Sequence, residues 1–233
     1  MKRLSLLTLL VLTVSCAKQP DLTVKTHIKG LKKGTVYLKK VKDTALITVD
    51  SIQINGNAEF ELYSNLESPE VFYLYLNKNT NEDDAIAFFA DKGITEINTT
   101  LKNFVFDAKI KGAVQQAKWE EYQKMISKLN NRNLDLIKEK FEAQMENDTS
   151  KIKAIDNEYN SLLKRKYLFT VNFAINNKDS EVSPYLALTE IYNARINFLD
   201  TINNSLTPKV KASKYGKQLQ VFIDEIKEAD KNN

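Results

Sequence analysis

Polar and apolar positions alternate with a period of two from Leu22 to Lys111. Leu22, Val24, Thr26 and Ile28 interleave with Thr23, Lys25, His27 and Lys29. Gly30 and Gly34 bracket a turn, and Val36 and Leu38 open a second strand. Ala45 to Ile54 predicts a third, and Asn55-Gly56 predicts a two-residue hairpin turn leading to Phe60 and Leu62. After Pro69, Val71 to Leu76 is apolar on both faces, the mark of a strand buried on two sides. Ala85–Ala90, Ile94–Leu101 and Phe104–Ile110 bring the count to about eight. Short strands at this spacing predict a sandwich or barrel.

The period changes after Gly112. Trp119, Tyr122, Ile126 and Leu129 step by three and four, and Leu136, Ile137, Phe141 and Met145 continue the step. Asn130, Asn131 and Asn133 predict a break or a bend. Asp148 is placed to cap a second helix with Ile152, Ile155, Tyr159, Leu162, Phe169 and Phe173 along its seam. Two such seams joined by a short polar loop predict an antiparallel helical hairpin, long enough to allow a homodimer through the helices. Ser183-Pro184 and Thr207-Pro208 predict two further helix starts, and Leu219, Phe222, Ile223 and Ile226 a last amphipathic helix. The fold class is α+β: an antiparallel β-sandwich or barrel of about eight strands over 22–112, then an all-helical region over 113–233.

The first residues add a compartment. Lys2 and Arg3 precede an uncharged run, Leu4 to Val14, then Ser15 and Cys16. A basic start, a short apolar run and a small residue predict a secretory signal over 1–15. The run is shorter than the ~20 residues a spanning helix needs. Leu12-Thr13-Val14-Ser15-Cys16 resembles the bacterial lipobox, with Thr13 where Leu is usual. The resemblance implies lipidation of Cys16, a tether over 16–21, and a cell-envelope location on a membrane, with the outer membrane favoured.

Charge and cysteine content then narrow the chemistry. The chain holds 34 basic and 30 acidic residues. Loss of Lys2 and Arg3 with the leader leaves 32 against 30, net +2, so no nucleic-acid partner is expected. Cys16 is the only cysteine. Once lipidated, it leaves neither a disulfide nor a nucleophilic thiol. The single His27 is a poor basis for a zinc site or a Ser-His-Asp triad. Six glycines include no phosphate-binding loop. Glu120-Glu121 and Asp83-Asp84 are adjacent in sequence, so they do not converge as acid and base. Asn77, Asn79, Asn81 and Asp83 alternate in a polar loop. It reads as a hairpin connection; the alternative is a calcium loop using Asn79, Asn81 and Asp83, without the glycine or distal glutamate of such loops. No catalytic residue, cofactor or cofactor-binding residue is assigned.

Asp50-Ser51, Gly56…Phe60, Pro69, Ile110-Lys111-Gly112, Asn177…Ser180, Ser183-Pro184-Tyr185 and Ser213-Lys214-Tyr215-Gly216-Lys217 occur in an order that resembles one family. It is the domain of unknown function, family 4369, at the N-terminus of many Gram-negative envelope lipoproteins. There it usually precedes a thioredoxin-like thiol–disulfide oxidoreductase domain. The resemblance spans Leu22 to about Glu228, and no Cys-x-x-Cys is present. The resemblance leaves the non-catalytic module of that family; the lipobox-like leader and the empty catalytic inventory then lead to the expectation of a binding or scaffolding module, not an enzyme, with an unidentified protein partner. Two alternatives stand beside it: an accessory subunit acting in trans with a thioredoxin-like oxidoreductase, and a carboxylate-based hydrolase of envelope glycans.

Overall fold

The computed structural model describes residues 19–76 and 85–231. Cys16 and the loop carrying Asn79, Asn81 and Asp83 lie outside them. The element order is β1 (Leu22–Lys29), β2 (Lys33–Lys42), β3 (Ala45–Asn55), β4 (Glu59–Ser64), β5 (Glu70–Tyr75), β6 (Ile86–Ala90), β7 (Gly93–Thr100) and β8 (Lys109–Lys111). Six helices follow: α1 (Val114–Met145), α2 (Thr149–Asn176), α3 (Val182–Thr189), α4 (Ile196–Ser205), α5 (Pro208–Lys211) and α6 (Lys214–Lys231). The fold is α+β, and the strands form two open sheets rather than a closed barrel, ordered β4-β1-β7-β8 and β3-β2-β5-β6.

The alternation seen in the sequence sorts side chains between faces. Leu22, Val24, Ile28, Leu62 and Ile97 meet Val36, Leu38, Phe72, Leu74 and Phe88 in the interior between the sheets. One pair departs from antiparallel order. β1 and β7 run parallel, Leu22 beside Gly93 through Lys29 beside Thr100. Both strands enter their sheet from the same end, where the Gly93 N–H donates to the Asp21 carbonyl at 2.8 Å.

Asn55-Gly56 does not make the predicted hairpin. β3 pairs with β2, and β4 pairs with β1 in the other sheet. Gly56, at φ +95°, turns a corner between sheets and donates its N–H to the Lys32 carbonyl at 2.8 Å. A local turn signal fixes the backbone bend but not the partner of the next strand. The two-residue hairpin lies instead at Asp43-Thr44, between paired Lys42 and Ala45, with Asp43 at φ +56°. Across the corner, the Asp50 carboxylate accepts the Ser51 N–H at 2.8 Å and the Tyr63 N–H at 2.7 Å, tying β3 to β4.

The two sheets differ on their outer faces. The outer side of β5 and β6 is covered by helices: Val71 and Phe89 pack on Trp119, Tyr122, Phe173, Leu186 and Tyr215. The outer side of β4, β1 and β7 is polar and bare. The chain is thus layered as sheet, sheet, helices. α1 runs unbroken through Asn130–Asn133, so these asparagines do not break the helix. There Arg132 holds Glu139 at 2.6 Å and Glu158 at 2.7 Å, bracing the stretch against α2. α3 begins at Val182, one residue before Ser183, whose Oγ donates to the Ala174 carbonyl at 2.8 Å instead of capping. Asp148 and Thr207 do cap α2 and α5.

Candidate functional site

Three places could carry function: the seam between sheet and helices, the bare sheet face, and the far end of the α1–α2 hairpin.

The seam is built from the family-like motifs. Ser213 Oγ donates to the Val210 carbonyl at 2.6 Å and turns the chain into α6. The Lys214 ammonium reaches the buried Glu70 carboxylate, which also holds Lys40 at 2.7 Å, and it donates to the Val41 carbonyl at 2.7 Å. The Tyr215 hydroxyl accepts the Val71 N–H at 2.9 Å. Gly216 lets α6 close on α5: a Cβ there would lie 2.0 Å from the Val210 carbonyl oxygen. Gly112 does the same at β8, where a Cβ would lie 2.2 Å from the Ile94 oxygen. Asn177 and Ser180 meet α1 through Lys118 (2.8 Å) and Gln115. Phe89 stands edge-on to Trp119, Tyr185 and Tyr215 at 5.8, 5.2 and 5.9 Å. Such pairs contribute about 0.5–1.5 kcal/mol each beyond burial. Burial raises the Tyr185 and Tyr215 hydroxyls far above the ordinary phenol range, so both stay neutral.

Two seam residues gave no signal in the sequence. Gln116 sits where the helical pattern wants an apolar residue. Its Oε1 accepts the Phe89 N–H at 2.8 Å, satisfying the edge of β6 that would otherwise be open. Asp91 caps α1 from the β6–β7 corner, accepting from Val114 at 2.6 Å and Gln115 at 3.2 Å. Glu181 lies beside this corner with Gln115 donating at 2.8 Å; burial raises its carboxyl. The sequence marks none of these because each partner comes from a distant segment.

The bare sheet face forms an open concavity of about 430 Å³ lined by Lys25, His27, Glu59, Glu61, Glu96 and Asn98. Cross-strand register sets Glu61, Lys25, Glu96 and Lys111 in one row of alternating charge, and Glu59, His27, Asn98 and Lys109 in the next. Opposite charges across strands stabilise a solvated face. The Tyr63 hydroxyl at 2.7 Å, with Lys25 at 3.5 Å, holds Glu61 below the usual carboxylate range. A general acid needs the opposite shift. Among the described residues, no group of three or more His, Cys, Asp or Glu is placed to hold a metal. The aromatic run of β5 is not a surface platform: Phe72 stacks on Phe88 at 6.1 Å inside the core, and Tyr73 packs under the helices.

The third place is the distal hairpin. Leu136, Ala143, Ile155 and Leu162 make a small core between α1 and α2. Beside it, Leu134, Ile137, Phe141 and Met145 form a stripe along α1 with 57–72% of each residue exposed. A groove of about 260 Å³ runs next to the stripe between Asn133, Ile137, Ile155 and Tyr159.

A family model described as "Domain of unknown function (DUF4369)" matches residues 22–119. Over that stretch the chain is similar to the DUF4369 domain. The match is shorter than the resemblance read from the motifs: it takes in all eight strands and stops at Trp119, in the second turn of α1. Asn177 to Lys217 lie beyond it, yet pack back onto the matched residues through Trp119 and β5. Neither the curated proteins nor the solved structures gave a match to the chain.

Proposed function

We propose that this chain is a lipid-anchored envelope protein that acts as a non-catalytic binding or scaffolding module, and that the α1–α2 arm is its presenting element. The observation that supports this best is the contrast between the three candidate places. The seam motifs are consumed in holding helices to the sheet. The polar concavity neutralises its own charges, and its Glu61 is shifted away from acid–base work. The arm leaves four large apolar side chains in water at helical spacing, Leu134, Ile137, Phe141 and Met145, and exposed apolar patches mark association sites. The leader and Cys16 would supply the tether. One multiply acylated cysteine holds a protein at a bilayer, since each buried CH₂ contributes ~0.8 kcal/mol.

The test is capture from detergent-solubilised membranes with the native chain and with Ile137→Asp. Specific partner recovery by the native chain, lost in the variant, is expected. Equal recovery by both, or none by the native chain, would count against the arm. A hydrolytic activity abolished by Glu59→Gln or Glu96→Gln would replace the proposal with the glycan-hydrolase alternative.

A further inference from the structure

We infer that the partner of the arm is a second copy of this chain, packed antiparallel through α1 to give a four-helix bundle. The inference rests on the arm being the presenting element and adds what covers it.

Three observations point to a second copy. The first is spacing. Leu134, Ile137, Phe141 and Met145 are spaced by three, four and four, so they share one face of α1 over three turns, as a helix–helix contact requires. The second is charge. Lys138 and Glu142 flank the stripe on one side, 78% and 50% exposed, and at 3.9 Å they barely engage each other. A twofold axis crossing α1 near residue 140 turns this flank against itself in reverse. Lys138 of each copy then faces Glu142 of the other, twice by symmetry. A parallel pairing would instead set this flank against Asn130, Asn133 and Lys140, which offer Glu142 one cation and Lys138 no carboxylate. The opposite side of the arm is already occupied by Arg132 between Glu139 and Glu158.

The third observation is area. The four stripe residues and the 41%-exposed Tyr159 leave on the order of 600 Å² of side chain in water per copy. That is at the upper end of the roughly 300–600 Å² that the largest apolar patch of a typical monomer exposes. The adjoining groove, lined by Ile137, Ile155 and Tyr159, has room for an aromatic side chain. The stripe offers an aromatic side chain in Phe141, 63% exposed.

The experiment is a charge swap on the full chain purified in detergent. Mass is read by sedimentation with the detergent contribution matched out. The native chain should be a dimer at about 10 µM. Lys138→Glu and Glu142→Lys should each weaken association about tenfold or more, because each sets like charges together twice. Mixing the two variants should restore a dimer containing one of each, which a loss of folding could not do. Circular dichroism of each variant should match the native chain. A native chain that stays monomeric, or variants that fail to complement, overturns the second copy. If that monomer still captures another protein through Ile137, the arm remains the presenting element and only its occupant is wrong. If neither association nor capture depends on Ile137, both readings fail.

Discussion

The Tyr215 hydroxyl accepts the backbone N–H of Val71 at 2.9 Å, across 144 residues of sequence. The Val71 N–H lies past the reach of β2, whose pairing with β5 covers Phe72 to Tyr75. Tyr215 therefore completes the sheet, and α6 cannot leave without orphaning a buried donor. Tyr215→Phe keeps the ring packing and removes only the acceptor. It should destabilise the chain by about 1–3 kcal/mol, the cost of an unsatisfied buried polar group, measured by urea denaturation.

Gly216 sets a harder limit. A methyl group there meets the Val210 carbonyl oxygen and the Lys211 backbone, at 2.0 and 2.8 Å, and none of these is a flexible side-chain end. Gly216→Ala should cost ~3 kcal/mol or more, because α5 and α6 must separate. A thermal melt should show the loss, with Trp119 emission shifting as the seam loosens.

Glu181 carries a pH signature. Burial raises its folded-state pKa above the unfolded value, so folding disfavours the ionised form. Its stabilising share is full below the unfolded pKa and is lost as pH rises through the folded one. Glu181→Gln should therefore be more stable than the native chain at neutral pH. The difference should vanish as pH drops below the ordinary carboxylate range. Denaturation midpoints from pH 3 to 8 check the sign.

The stripe residues should behave as surface, not core. Ile137→Asn should change the stability of the isolated chain by within ~0.5 kcal/mol at high dilution, as surface changes do. Leu136→Ala, one residue away and 1% exposed, should cost about 2–5 kcal/mol. Denaturation of the two variants side by side separates the faces.

How much of this was legible beforehand follows from how local each signal is. Strand alternation and helical steps are local, and they gave the strands through β7, the hairpin and the α+β class; the strand expected over Phe104–Ile110 is mostly a turn, and β8 is only Lys109–Lys111. Val71 to Leu76 read as buried on both faces because two layers do cover it. Asn55-Gly56 misled because a bend specifies geometry and not partnership. The unbroken α1 was hidden because Arg132 recruits Glu158 from the other helix. Gln116 and Asp91 could be found only once β6 and α1 were side by side. The motif Ser213–Lys217 was visible as a string, but its work, binding α6 to β5, was not.

Position-specific photo-crosslinking in intact cells addresses the arm most directly. A photoreactive amino acid replaces Phe141 on the stripe in one variant and Asn98 in the polar concavity in another. The account predicts an adduct at 141, at twice the mass of the chain, and none at 98. Adducts at 98 with none at 141 would contradict it.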